Sequence, residues 1–119
     1  MRAVTDYTLA KRARIRDWEE GRLSRYDICD AHKDLLRAAL YYGEDTGQMC
    51  PVCDDGRLVF VRYVYGEQLK RNNGRCFPLD EITLLGHDID EFTCYVVEVC
   101  PRCAWNHLAV SFMLGRSVR

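Results

Sequence analysis

The sequence predicts an α+β fold in which N-terminal helices pack on a small three-stranded antiparallel sheet. Helical periodicity dominates the first third of the chain, and segments rich in β-branched and aromatic residues dominate the rest. Two Cys-x-x-Cys motifs accompany the β-rich segments. Because two such motifs commonly hold one zinc ion, the sheet is expected to be a zinc ribbon with a long insertion between its two cysteine turns.

Three helices are expected in the first part of the chain. The first covers 5–20, where apolar residues recur on one side with a period of 3.6 residues. Ser24 can cap a short second helix that runs through Asp30. A Leu- and Ala-rich third helix is expected over 33–42 and ends at Gly43.

Three strands are expected in the second part, at 58–65, 92–99 and 105–114. The insertion, 66–90, is the best candidate for a mobile loop; it carries the turn signal Asn72-Asn73-Gly74 and a short helix at 80–86. We expect a single domain over 1–119, with a helical part (1–45) and a ribbon part (46–119).

The strongest site signal is the pair Cys50-Pro51-Val52-Cys53 and Cys100-Pro101-Arg102-Cys103. The two-residue spacing lets a tight turn present both sulfurs to one ion, and two turns supply the four thiolates Cys50, Cys53, Cys100 and Cys103. The turns are 47 positions apart, against about 15–20 residues in compact sites, so the insertion must loop out. One structural zinc ion is expected; iron, or redox or incidental buried cysteines, are the alternatives.

Other residues with metal-binding or thiol chemistry are given a structural role. Cys29 and Cys94 are expected to be small buried hydrophobes, and Cys76 an exposed thiol whose reactivity merits a check. His107, shortly after the second turn, is an alternative ligand. Four thiolates leave no coordination position open, so an enzyme is not expected.

Composition narrows the class of protein further. The chain has 17 Lys and Arg against 18 Asp and Glu, a net charge of −1, so no long-range field attracts nucleic acid. Its 48% hydrophobic content argues against disorder. With no apolar run long enough to span a membrane and a charged N-terminus, a cytoplasmic protein without a membrane partner is expected.

A local surface could still bind a partner. Two groups of cations are candidates for contacts with phosphates or acidic protein, although a solvated helix face is the favoured explanation of the first group: Lys11, Arg12, Arg14 and Arg16, and then Lys70, Arg71 and Arg75. Aromatic side chains on the expected strands could stack bases or form core: Tyr63, Tyr65, Tyr95 and Trp105. The helices between 24 and 42 could also be a helix-turn-helix, although the apolar side chains of the helix at 33–42 favour a place in the core.

Several short stretches spread over the chain carry a family resemblance. They include the tail motif Cys103-Ala104-Trp105-Asn106-His107-Leu108, the stretch Ile28-Cys29-Asp30-Ala31-His32, and Tyr65-Gly66-Glu67-Gln68-Leu69. With these motifs and its cysteine turns the chain resembles an actinobacterial family of unknown function. The resemblance implies no activity, substrate or catalytic residue.

The leading functional hypothesis is a non-catalytic zinc-binding adaptor that docks on a protein complex of transcription or translation. The choice of complex is an analogy with other zinc ribbons. Two alternatives remain open: a nucleic-acid-binding zinc ribbon, and a thiol-based redox sensor whose cysteines cycle between metal-bound thiolate and disulfide.

Overall fold

The architecture is a five-stranded antiparallel sheet with helices on both faces, seen in a computed structural model that describes residues 1–118. The strand order is β1-β5-β4-β3-β2. The strands are β1 (Arg2–Asp6), β2 (Glu44–Met49), β3 (Arg57–Tyr65), β4 (Phe92–Val99) and β5 (Asn106–Leu114). The helices are α1 (Thr8–Glu19), α2 (Arg25–Ile28), α3 (Lys33–Tyr42) and α4 (Leu79–Asp88), with a 3₁₀ helix at Glu67–Asn72.

The three predicted strands form the centre of the sheet, but the prediction of three strands in total is wrong. β1 and β2 add one edge strand on each side. The side chains of both are almost entirely exposed, and β2 has the polar sequence Glu-Asp-Thr-Gly-Gln-Met. An edge strand of this kind is held by backbone hydrogen bonds to its neighbour rather than by a buried face, so its sequence shows no alternation.

The predicted helices all form, and α1 differs most from its predicted bounds. The prediction placed residues 5–20 in this helix, but Thr5 and Asp6 belong to β1. The Asp6 carboxylate accepts a hydrogen bond of 2.7 Å from the Thr8 backbone N–H, which satisfies one of the free donors at the start of the helix. α2 has the predicted cap: Ser24 accepts from the Asp27 N–H while the Asp27 carboxylate accepts from the Ser24 N–H.

Helices cover opposite faces of the sheet. Val61 and Val64 lie three positions apart on β3 and therefore face opposite sides. Val61 packs under Ala38 and Ala39 of α3, where the small side chains allow a close approach. Val64 packs with Ile82 of α4 in the second core cluster. Burying a side chain of this size stabilises the fold by about 1.5–3 kcal/mol.

The insertion at 66–90 packs back on the sheet. Its 3₁₀ helix buries Leu69 and α4 buries Ile82, both against the face that carries Cys94. Cys76, between them, forms an isolated antiparallel bridge to Tyr63 of β3. Within residues 1–118, no helix combines the length and the apolar character needed to cross a bilayer.

Candidate metal centre

Four cysteine sulfurs meet at one end of the sheet. The Sγ atoms of Cys50, Cys53, Cys100 and Cys103 all lie within 4.8 Å of one another. The Cys50–Cys103 pair is separated by 3.6 Å and the Cys53–Cys100 pair by 3.7 Å. A tetrahedral ion with metal–sulfur bonds of about 2.3 Å requires sulfurs about 3.8 Å apart. The four cysteines can therefore hold one tetrahedral metal ion.

Strand pairing explains how two turns so distant in sequence become neighbours. The first turn connects β2 to β3, and the second connects β4 to β5. β3 and β4 pair antiparallel with Val59 opposite Val99, so the start of β3 lies beside the end of β4. The insertion leaves from the opposite end of these two strands and does not obstruct the site.

The two cysteine turns have the same backbone geometry. In the first, the Asp54 N–H donates to the Cys50 carbonyl at 3.0 Å; in the second, the Ala104 N–H donates to the Cys100 carbonyl at 2.9 Å. Both of these donor residues have a positive φ, 53° at Asp54 and 71° at Ala104. A left-handed residue is uncommon for side chains other than Gly, Asn and Asp. Because a left-handed residue recurs at the same position in both turns, the two turns share one backbone conformation.

Backbone N–H groups point at the sulfurs. Val52 N–H donates to the Sγ of Cys50 at 3.4 Å, Gly56 N–H to that of Cys53 at 3.3 Å, and Trp105 N–H to that of Cys103 at 3.4 Å. Such donors favour the ionised thiolate, which is the form that binds metal.

Burial opposes ionisation of all four cysteine thiols and outweighs the hydrogen bonds at three of them. It raises the pKa of Cys50, Cys100 and Cys103. Cys53 is less buried, and although burial acts in the same direction there, hydrogen bonds from the backbone of Asp55 and Gly56 lower its pKa to about 7. Four thiolates in so small a space require a cation among them, so this donor set fits a divalent metal ion.

Gly56 allows the first turn to approach the second. A Cβ atom at Gly56 would lie 2.5 Å from the Sγ of Cys100 and 2.9 Å from the Cβ of Arg102. The Gly56 carbonyl also accepts a 2.7 Å hydrogen bond from the Cys50 N–H. Only a residue without a side chain fits this position when all four sulfurs converge.

Apolar side chains cover the site on one side. Trp105 and Ile28 are fully buried and belong to the same cluster as Cys50 and Cys100. Ile15 and Trp18 of α1 pack against this cluster from outside. Of the apolar stripe predicted along the first helix, Ile15 and Trp18 therefore cover the cysteine turns, whereas Val4 lies in β1 and is exposed.

The prediction for Cys29 is confirmed in part, because Cys29 packs, partly buried, against the core cluster around Trp105. A buried hydrophobe is expected from the sequence, but Cys29 is only half-buried and its Sγ lies 3.6 Å from that of Cys103. Arg25 lies close enough to both sulfurs that its interactions with them, first with Cys29, raise its pKa. A single cysteine without a partner motif gives no sequence signal for such a contact.

The remaining thiols and His107 lie outside the cluster. Cys94 is fully buried in the core, as predicted. Cys76 is half-buried and packs against a core cluster, which corrects the expectation of an exposed thiol, and burial raises the pKa of Cys76. His107 stacks on Trp105 at 6.0 Å between ring centroids, and burial lowers its pKa. None of the three belongs to the group of side chains that could share an ion among residues 1–118.

The two groups of cations occupy different ends of the sheet. Lys11 forms a salt bridge with Glu98, and Arg14 donates to the Asp27 carbonyl. Arg12 and Arg16 are exposed on α1, which packs beside the cysteine turns. The second group, Lys70, Arg71 and Arg75, is exposed to solvent at the far end of β3. Lys70 and Arg71 lie in the 3₁₀ helix, and the Arg75 carbonyl accepts a hydrogen bond from the Val64 N–H.

The strand aromatics divide between core and surface. Trp105 is fully buried. Tyr63, Tyr65 and Tyr95 line an open groove of about 610 Å³ on the face that α3 only partly covers. Tyr65 and Tyr95 meet edge to face at 5.4 Å between ring centroids, and Tyr65 is 47% exposed.

Comparison with known proteins gives a family but no described activity. Residues 1–119 match the model of a family described as Family of unknown function (DUF5318). Uncharacterized protein Rv0049 of Mycobacterium tuberculosis and Uncharacterized protein Mb0050 of Mycobacterium bovis are each 40% identical over 110 residues, 92% of this chain and 80% of the relative. No solved structure matches the chain. The resemblance to an actinobacterial family of unknown function is thereby confirmed.

Proposed function

Because this chain belongs to DUF5318, a family of unknown function, we propose a role from its own residues: it is a zinc-binding, non-catalytic interaction module. The observation that carries this proposal is the convergence of four cysteine sulfurs, with the pairs at 3.6 and 3.7 Å close to the spacing that a tetrahedral zinc ion requires.

Zinc suits the site better than other ions. Four thiolates with no carboxylate or imidazole among them favour zinc or iron over magnesium, calcium or manganese. Zinc has no redox chemistry and no geometric preference of its own, so it fits a site whose shape is set by two matched backbone turns. When bound, the ion supplies the positive charge that the buried thiolates need and links β3 to β4 at the end where the two turns meet.

The module is proposed to be non-catalytic because the protein supplies all four ligands. A catalytic zinc ion keeps one coordination position for water or substrate, and a closed set of four thiolates leaves none. Two of the four ligands, Cys50 and Cys100, are also buried in the cluster around Trp105. The role of the centre is then to hold the fold together.

The binding surface that we propose is the tyrosine groove formed by Tyr63, Tyr65 and Tyr95. Tyrosines provide large, rigid contact area with a polar end and are enriched in interfaces. The partner that we propose is a protein of the transcription or translation machinery, by analogy with other zinc ribbons.

A nucleic-acid-binding zinc ribbon is the second candidate function. It is favoured by the same three tyrosines, because bases stack on exposed aromatic rings. The cations lie apart from this groove, on α1 and in the segment after β3, so phosphates would have to be contacted at its ends.

Metal analysis tests the first part of the proposal. We expect one zinc ion per chain after purification, by elemental mass spectrometry, and the absorption bands of a tetrahedral four-thiolate site after replacement of zinc by Co²⁺. A chain that is coloured as isolated and carries iron contradicts the zinc assignment. A metal-free chain that remains folded contradicts the metal centre altogether.

An affinity pull-down tests the second part. The tagged protein and its Tyr65→Ala/Tyr95→Ala variant are compared with and without nuclease, and Tyr26→Ala serves as control because Tyr26 is 92% exposed on α2, outside the groove. Polymerase or ribosomal proteins that survive nuclease and are lost only from the double variant support the adaptor. Loss on nuclease treatment supports nucleic-acid binding instead. Equal recovery with the double variant contradicts the groove as the binding surface.

A further inference from the structure

We propose that Cys29 is an oxidation site of the metal centre, at which a hydroperoxide joins Cys29 to Cys103 in a disulfide and so removes one of the four metal ligands. This inference rests on the proposed metal centre, and it assigns a chemical role to a fifth cysteine that the four-thiolate site does not use.

The sulfur contact is the first observation. The Sγ atoms of Cys29 and Cys103 are 3.6 Å apart, so they must approach by about 1.5 Å to reach the disulfide bond length of about 2.05 Å. The ligand pairs Cys50–Cys103 and Cys53–Cys100 are equally close. Those four sulfurs, however, are the ones that hold the ion. Cys29 is the one sulfur in contact with the set that can react without first losing a metal bond.

Accessibility selects the same pair. Cys29 and Cys103 are both half-buried, whereas Cys50 and Cys100 are fully buried. A small hydroperoxide can reach Cys29 from solvent. The ligand next to it, Cys103, is also one of the two less buried ligands.

The backbone holds Cys29 in place against the second turn. Its N–H donates to the Arg25 carbonyl at 2.8 Å, which ends α2 at this residue. Two residues later the Ala31 N–H donates to the Ala104 carbonyl at 3.0 Å, and the Asn106 side chain donates to the Asp30 carboxylate at 3.0 Å. The segment after α2 is thus fastened to the second turn close to the sulfur contact, and little ordering entropy remains to be lost when the disulfide forms.

Arg25 adds a positive charge at the same place. Its side chain is exposed to solvent and lies near the sulfurs of Cys29 and Cys103. A cation there stabilises the negative charge that develops on the leaving oxygen when a sulfur attacks a peroxide.

The reaction has two steps that balance. The Cys29 thiol sulfur attacks one oxygen of the hydroperoxide and the O–O bond breaks. The thiol proton passes to the leaving oxygen, so Cys29 becomes a sulfenic acid and an alcohol, or water from hydrogen peroxide, is released. The Cys103 thiolate then attacks the Cys29 sulfur; the S–S bond forms, the S–O bond breaks, and hydroxide leaves and takes a proton to become water. The two sulfurs together lose two electrons, and the peroxide gains them.

The consequence is a metal centre with three thiolates. A site with one protein ligand missing binds its ion more weakly, and ligand loss couples to folding at structural sites. The disulfide meanwhile ties the segment after α2 covalently to the second turn. Oxidation would therefore weaken the metal-mediated link between the two turns and, at the same time, attach the segment after α2 to the second turn.

The test uses the full-length, zinc-loaded protein and hydrogen peroxide. Zinc content is measured first, release is followed with a chromogenic chelator, and disulfides are mapped by peptide mass spectrometry after the free thiols are alkylated. We expect Cys29–Cys103 to be the first disulfide and to appear together with zinc release. Cys29→Ser and Cys29→Ala should keep their zinc before oxidation and then lose it several-fold more slowly than the wild type.

Cys76→Ser is the matched control, because Cys76 is another half-buried thiol outside the site, and it should behave as the wild type does. Equal rates of release from the wild type and the Cys29 variants overturn the proposal. So does a first disulfide within one turn, Cys50–Cys53 or Cys100–Cys103. A chain purified without zinc overturns the proposed metal centre. The disulfide map of that same sample then shows separately whether Cys29 and Cys103 form a disulfide.

Discussion

Gly56 lies directly against the sulfur of Cys100: a Cβ at Gly56 would be 2.5 Å from that Sγ atom. The first turn can therefore deliver its two sulfurs to the second turn only because residue 56 has no side chain. This relationship joins the local conformation of one turn to the geometry of the whole four-cysteine site, and it gives the first prediction.

Gly56→Ala should weaken metal binding and destabilise the fold. The added methyl group must displace the Cys100 sulfur or the backbone of the first turn, and overpacking of this kind costs about 1–3 kcal/mol. Gly86→Ala is the control, because a Cβ at Gly86 meets nothing within 4 Å. Chelator competition gives the zinc affinity and thermal melting gives the stability. Two variants with the same affinity would show that the turns can move apart without loss of the site.

Cys50→Ser and Cys103→Ser should each unfold the end of the sheet that contains the turns. Metal-binding free energy at a structural site is folding free energy, about 10–16 kcal/mol for zinc in zinc-finger peptides. Cys76→Ser should leave melting nearly unchanged. Circular dichroism during heating, with and without a chelator, measures the effect. A soluble Cys103→Ser variant with wild-type melting would refute a structural role for the metal.

Lys11→Met should destabilise the protein through Glu98. The two side chains are joined by a salt bridge at 2.5 Å, with the Glu98 side chain 7% exposed and that of Lys11 24% exposed. Removing the cation leaves a buried carboxylate unpaired, and after allowance for the partial exposure of Lys11 we expect a loss of about 1–3 kcal/mol. Arg12→Met changes an exposed cation on the same helix and should have little effect. Urea unfolding of the two variants compares them directly.

His107 should make the protein less stable in mild acid. Burial lowers its pKa below the ordinary value of 6.5, so the unfolded chain binds a proton more readily than the folded chain. Stability is therefore highest above pH 6.5 and falls as the pH drops from 6.5 towards the folded pKa. His107→Asn should reduce this fall, measured as melting temperature against pH at constant zinc. Protonation of the cysteine ligands affects both proteins alike, so identical profiles would count against His107.

Local patterns predicted much of the fold. The three central strands and α3 were predicted to within one residue, because buried strands and an amphipathic helix leave periodic signals. The Ser24 cap was predicted from the residue type alone. The exposed edge strand β2 was missed, because pairing with β3 rather than burial holds it in place.

The side chains that can bind a metal are evident from the sequence alone, because a Cys-x-x-Cys turn is a local structure whose two sulfurs converge whatever surrounds it. The tertiary structure decided that the two turns meet, since only the pairing of β3 with β4 removes the long separation between them. It also decided that Cys29 touches Cys103, because that contact depends on how α2 is fastened to the second turn. Contacts between segments that are distant in the chain follow from packing, so they cannot be predicted from the residues of either segment alone.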